Sequence, residues 1–213
     1  MGATWHTKCM FDVDCAEDSF ADILNQHGIE THATDNSPKD HQDNVAQAVD
    51  AIKQHNIDYV MGYSYGCITA LDISKKIPIK GLLFLDPVAP IQINKQMNPE
   101  RTIIKKSDVD TALTTYNVTA TPEMRQAYLS ALGDSDTFEV PSYPIKTQKF
   151  SSFFNMDVSL HHPNIKLFLT GQSDLKTRTW IPDSTTMYPD STHWILIEPG
   201  RYKLATDIAN SLP

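Results

Sequence analysis

The sequence predicts an α/β protein built on a mostly parallel central sheet flanked by helices, and three observations carry that prediction. Strand-like and helix-like stretches alternate through the first 85 residues, the order that parallel strands with right-handed crossovers produce. Two runs, GLLFL at 81–85 and IKLFL at 165–169, are almost continuously apolar, as in strands covered on both faces. Between them in role stands Gly62-Tyr63-Ser64-Tyr65-Gly66, a G-x-S-x-G pattern at the point where a strand gives way to a helix.

The elements follow in order. Residues 5–11 form a weakly alternating first strand, and residues 11–15 are the loop that leaves it. Phe20, Ile23 and Leu24 mark the apolar stripe of a helix over 16–27, closed by Gly28 as a C-cap. Residues 29–33 make a short strand. Ser37-Pro38 opens a second helix, with a capping residue before a proline at the first turn; Val45, Ala48, Val49 and Ile52 are its buried face. Residues 57–62 form the strand of the G-x-S-x-G corner, and a helix opens at Tyr65.

After GLLFL the pattern breaks. Residues 87–160 contain Pro87, Pro90, Pro99, Pro122, Pro141 and Pro144, with helical fragments near 108–116 and 122–132. Such an insertion between two sheet strands is either a lid over a site or a peripheral decoration, and a lid is expected, because the sheet resumes only at Ile165. Phe150, Phe153, Phe154, Met156 and Leu160 line its return, most of them as ordinary core. Residues 185–188 are a last short strand, and a helix from 198 or 199 to 211 carries Tyr202, Leu204, Ile208 and Leu212 on its apolar side. The whole reads as one domain over 1–213, interrupted by the lid.

Composition narrows the function. A net charge of −8 with scattered basic residues argues against a nucleic-acid or anionic-membrane surface. No run approaches the ~18 apolar residues of a membrane span. Cys9, Cys15 and Cys67 form no C-x-x-C pair, which fits a reduced, cytoplasmic setting. There is no G-x-G-x-x-G, Walker A or H-E-x-x-H segment, so no cofactor is expected. His161-His162 beside Asp157 is the one hint of a metal, and a weak one, since adjacent histidines on a strand point opposite ways; no metal is expected either.

The G-x-S-x-G pattern carries the chemistry. With 8 glycines and 15 serines in 213 residues it should arise about 0.02 times by chance. A serine hydroxyl is a weak nucleophile at neutral pH; it needs an imidazole to take its proton and a carboxylate to orient that imidazole. In an open parallel sheet those groups gather at the carboxyl ends of the strands. Of eight histidines, His6, His27, His32, His41 and His55 belong to early elements and His161-His162 precedes a strand. His193, just after the last short strand, stands at the right rim. Two carboxylates end strands: Asp174, after IKLFL, and Asp86, after GLLFL. Chain order favours Asp174, with Asp86 its rival.

GYSYG at 62–66, Gly-Gln-Ser-Asp at 171–174, and Ser-Thr-His-Trp at 191–194 followed by Ile-Glu-Pro at 197–199 together resemble the α/β-hydrolase fold family. The resemblance covers most of the chain outside the insertion. It implies Ser64 as nucleophile, Asp174 as acid and His193 as base. It also implies an oxyanion hole from the backbone N–H groups of Val13 and Tyr65, although Phe11-Asp12 stands where the family commonly has His-Gly, and an inward Asp12 would oppose a developing oxyanion. There is no room for the family's two leading antiparallel strands, so a sheet shortened to about six strands is expected.

These readings converge on a serine hydrolase of the carboxylesterase or thioesterase type, acting on an ester or thioester. Tyr63, Phe11, Phe153, Phe154 and Trp194 are its expected substrate-binding residues, and their aromatic character suggests an apolar acyl group. Two alternatives stay open: a lyase or C–C bond-cleaving member of the same fold, and a member that binds a ligand without catalysis.

Overall fold

The computed structural model describes residues 10–34, 41–64, 66–87, 103–133, 136–139, 164–171 and 185–213. Its centre is a parallel sheet of β1 (Tyr59–Tyr63), β2 (Gly81–Leu85), β5 (Ile165–Thr170) and β6 (Thr186–Tyr188), in the order β1-β2-β5-β6. Tyr63 pairs with Leu85, and Leu85 with Phe168, so β1 and β2 finish level and β5 runs two residues further, to Thr170. All five residues of β2 are buried, as its unbroken apolar run requires of a strand covered on both sides.

Alternation along the strands sorts two cores. Leu83, Leu85 and Phe168 face one side, where they meet Phe20, Ile23 and Leu24 of helix α1 (Phe20–Gln26) and Leu204, Ala205 and Ile208 of helix α6 (Gly200–Ser211). Leu82, Phe84, Leu167 and Leu169 face the other, against Val45, Ala48, Val49 and Ile52 of α2 (His41–His55) and Cys67, Leu71 and Ile73 of α3 (Gly66–Ser74). Each fully buried Leu, Ile or Phe contributes about 1.5–3 kcal/mol from leaving water.

The insertion contributes a two-stranded antiparallel pair, β3 (Ile103–Lys105) with β4 (Thr137–Glu139), and two helices between them, α4 (Lys106–Thr115) and α5 (Pro122–Ala131). The helices stand close to the expected places. Their buried Val109, Leu113, Met124 and Tyr128 join the core that holds Tyr63 and Trp194.

Four expectations are corrected. The described residues give four strands in the main sheet, not about six. Met10 and Phe11 lie in a helical turn rather than at a strand end; residues 5–9 fall outside the described residues. Residues 29–33 are not a strand. Gly28, at φ +78°, reverses the chain, and the Ile29 N–H is spent on the Leu24 carbonyl at 3.0 Å, closing α1. Residues 29–34 instead line a cavity of about 370 Å³ together with Tyr59, Val60 and Met61 of β1.

Helix α1, finally, starts at Phe20, four residues later than the expected 16. Ser19 is the reason: its hydroxyl accepts the Asp22 N–H at 3.1 Å while the Asp22 carboxylate accepts the Ser19 N–H at 2.9 Å, a reciprocal cap. Among the other described residues the expected elements are present, save that Tyr202 of α6 is exposed; Ser37-Pro38, Phe150, Met156 and Leu160 lie outside the described residues.

Candidate active site

The corner after β1 is built as its glycines imply. Ser64 sits at φ +54°, its N–H bound to the Leu85 carbonyl at 2.9 Å and its own carbonyl accepting the Cys67 N–H at 3.2 Å. A Cβ on Gly62 would stand 2.5 Å from Cys67 Cα and 2.7 Å from the Gly66 oxygen, so a side chain there is excluded. Ser64 is 4% exposed. Tyr65 lies outside the described residues.

One strand over, Asp86 repeats the geometry. It ends β2 at φ +43°, with its N–H on the Phe168 carbonyl at 2.8 Å. Its side chain turns toward the carboxyl end of β5, where Oδ2 accepts the Thr170 hydroxyl at 3.0 Å and Oδ1 receives the Thr170 N–H at 3.4 Å. Oδ2 also lies 2.5 Å from Nδ1 of His193. A carboxylate only accepts, so Nδ1 carries the proton toward Asp86, and in the neutral ring the acceptor lone pair is then on Nε2, the tautomer a general base needs. Asp86 is 3% exposed while the His193 side chain retains 25% exposure. The carboxylate is thus dry and the imidazole reachable.

The histidine is held from several sides. The Tyr63 ring stacks on the imidazole with centroids 5.0 Å apart, and its hydroxyl donates to the His193 carbonyl. Burial and the charge of Asp86 push the Tyr63 phenol well above its ordinary pKa, so it remains a donor. Thr192 and Trp194, either side of His193, are fixed through Glu198. Its carboxylate accepts the Thr192 N–H at 2.8 Å and the Thr192 hydroxyl at 2.9 Å, and the Trp194 N–H bonds that hydroxyl oxygen at 3.1 Å.

The structure therefore brings His193, Tyr63 and Trp194 together beside Asp86, with Ser64 directly after Tyr63 at the end of the neighbouring strand. Among the described residues Asp86, the rival in the sequence, contacts His193; Asp174 lies outside the described residues, as do Phe153, Phe154, His161, His162 and Asp157. Tyr63 is buried and stacks on the imidazole. Phe11 and Val13 are buried in the adjoining core, Phe11 edge-on to Phe20 with centroids 5.4 Å apart. Asp12 is exposed, 3.5 Å from the Ser19 hydroxyl, so its charge faces solvent. Trp194 presents its ring edge-on to His193 at 6.0 Å and lies 5.5 Å from Tyr116 of the insertion. Its buried Nε1 has no hydrogen-bond partner among the described residues. None of Ser64, Asp86 or His193 lines the cavity beside β1. Among the described residues no three of His, Cys, Asp and Glu gather as metal ligands, and no helix is long and apolar enough to cross a membrane.

Thr170 and Glu198, which hold Asp86 and the His193 loop, are not among the residues the sequence singles out, although each carries a signal: Thr170 ends the IKLFL run, and Glu198 stands five residues after His193 in the segment that carries the resemblance.

With this geometry, the chain is similar in structure to an esterase from Mycobacterium tuberculosis (TM-score 0.55, 16% identity, 80% of this chain and 66% of that one). The chain thus spans a little under two thirds of that esterase's length. It is likewise similar to a lipase-esterase related protein from Clostridium acetobutylicum (TM-score 0.54, 13% identity, 99% and 91% covered) and to a hypothetical protein from Pseudomonas aeruginosa (TM-score 0.58, 12% identity, 98% and 88% covered). The fold is that of these structures. No family model matches the sequence, and no curated protein matches it.

Proposed function

We propose that this protein is a serine hydrolase that cleaves an ester or thioester of a small to medium apolar acyl group through an acyl-enzyme. The observation that carries the reading is the 2.5 Å contact of His193 Nδ1 with buried Asp86, one strand from a serine at φ +54°. The names of two structural neighbours, an esterase and a lipase-esterase related protein, agree with it.

In this mechanism Ser64 Oγ attacks the acyl carbon while His193 Nε2 takes the hydroxyl proton, and the carbonyl oxygen becomes an oxyanion received by the N–H groups of Val13 and Tyr65. The tetrahedral centre collapses, the bond to the leaving oxygen or sulfur breaks, and Nε2 returns the proton to that atom. Water then attacks the acyl-Ser64 ester by the same route, giving the carboxylic acid and free Ser64. Asp86 keeps the imidazole in its Nδ1–H tautomer and stabilises the imidazolium formed in each half. Trp194 and Tyr116 supply an apolar wall beside His193, suited to the acyl group, and the insertion acts as a lid.

A fluorophosphonate probe tests this. It should label the wild-type chain and not Ser64→Ala, and the wild type should turn over short p-nitrophenyl esters. Absence of both labelling and turnover overturns the proposal.

A further inference from the structure

Behind the site lies a buried polar brace that the mechanism above does not use. Arg201, in the first turn of α6, is 1% exposed, yet its guanidinium makes contacts with two separate loops. Nη1 donates to the Glu198 carbonyl at 3.1 Å; Nε donates to the Asp18 carbonyl at 3.1 Å; Nη2 donates to Glu17 Oε2 at 2.8 Å and lies 3.3 Å from the Tyr202 hydroxyl. The first contact belongs to the loop that carries His193. The next two belong to the loop over 12–19, which contains Val13.

Glu198 is 1% exposed and accepts three hydrogen bonds. Oε2 takes the Thr192 N–H, and Oε1 takes both the Thr192 hydroxyl and the Thr119 N–H, the last at 3.1 Å. Glu17 Oε1 receives the hydroxyl of Thr121, the N-cap of α5. Two carboxylates and one guanidinium therefore pin together the His193 loop, the 12–19 loop and the insertion at residues 119–121. A buried carboxylate is costly unless its lone pairs are met, so this cluster has a single favourable arrangement.

From this geometry we infer that Glu198 is a positioning residue for His193, acting through Thr192, and that Arg201 locks the same loop to residues 12–19 so that base and oxyanion site keep one relative placement. The inference rests on the serine-hydrolase reading. Glu198 touches neither substrate nor imidazole. What it sets is the peptide on either side of His193: the Thr192 N–H directly, and the Trp194 N–H by way of the Thr192 hydroxyl. Misplacing a general base by about 1 Å costs on the order of a hundredfold in rate, which is how a residue this remote acts on kcat.

The experiment uses the full chain and a short p-nitrophenyl ester, with fluorophosphonate labelling of Ser64 alongside. In Glu198→Gln the amide NH₂ replaces an oxygen that accepts from Thr192, and a donor then faces a donor. Thr192→Val removes the hydroxyl at almost constant shape, and Thr192→Ser keeps it. Glu198→Gln and Thr192→Val should lower kcat about tenfold to a hundredfold. KM should stay within about twofold, labelling should slow in parallel, and Thr192→Ser should recover most of the loss. If Glu198→Gln does not fold, the Thr192 pair decides alone. Wild-type kcat in Thr192→Val, or equal losses in Thr192→Val and Thr192→Ser, overturns the positioning role. A wild-type chain that neither labels nor turns over the ester overturns the hydrolase reading, and this inference with it.

Discussion

Oδ2 of Asp86 lies 2.5 Å from Nδ1 of His193 and 3.0 Å from the Thr170 hydroxyl, so one buried oxygen serves both the imidazole and the strand beside it. Asp86 ends β2, and β2 lies between the strand that ends in Ser64 and the strand that ends in Thr170. Asp86 therefore stands beside the strand that leads into Ser64. Asp86→Asn should leave the fold intact and lower kcat by about a thousandfold or more, because an amide NH₂ toward Nδ1 favours the wrong tautomer. Asp174→Asn should cost far less. Steady-state kinetics of both variants on one p-nitrophenyl ester check the pair, and a larger loss in Asp174→Asn would assign the acid to Asp174 instead.

Chain order alone points to Asp174, although Asp86 also falls between Ser64 and His193. The contact of Asp86 with His193 depends on strand order, which arises from pairing between distant residues that no local pattern encodes. What is local was legible. The glycines of the corner, the unbroken apolar run of β2 and the four buried positions of α2 are each dictated by neighbouring residues, and each was matched. Residues 29–33 show the opposite case: a short run with strand composition loses to the capping of α1, which takes the Ile29 N–H. The brace of Glu17, Glu198 and Arg201 was also hidden, because its members lie up to 184 positions apart and read individually as surface charges.

Tyr63 should act on the base through its hydroxyl more than through its ring. Tyr63→Phe keeps the stack on the imidazole and removes only the donor to the His193 carbonyl. The half-buried His193 carbonyl then loses that donor, at about 0.5–1.5 kcal/mol. Urea denaturation should show that loss and kcat should fall several-fold with KM little changed. An unaltered midpoint together with wild-type kcat would show the hydroxyl to be idle.

Gly62 leaves no room for change. In Gly62→Ala the new methyl would meet backbone atoms of Cys67 and Gly66 at 2.5–2.7 Å, none of which is a flexible side-chain end. The strand or α3 has to move, at about 1–3 kcal/mol or more, and Ser64 moves with it. The expected result is a lower urea midpoint and loss of fluorophosphonate labelling under conditions where the variant is still folded. Retention of full labelling would mean that the corner yields more easily than its contacts imply.

Acid should loosen the brace from its exposed end. Hydrogen bonds from Thr121 first and Arg201 second hold the Glu17 carboxyl below its ordinary value of 4.5, against an opposing contribution from burial. A carboxyl whose pKa is lowered by folding adds stability that is present in full above its unfolded value and is lost as pH falls through the folded one. At pH 7, Glu17→Gln should therefore melt below the wild type. As pH drops from about 5 toward 3 the wild type should lose the larger share of its melting temperature and the two curves should converge. Melting temperatures of both proteins across pH 3–7 provide the check. A gap that stays constant over the whole range would mean that the charge of Glu17 contributes nothing and that shape alone joins the 12–19 loop to α5.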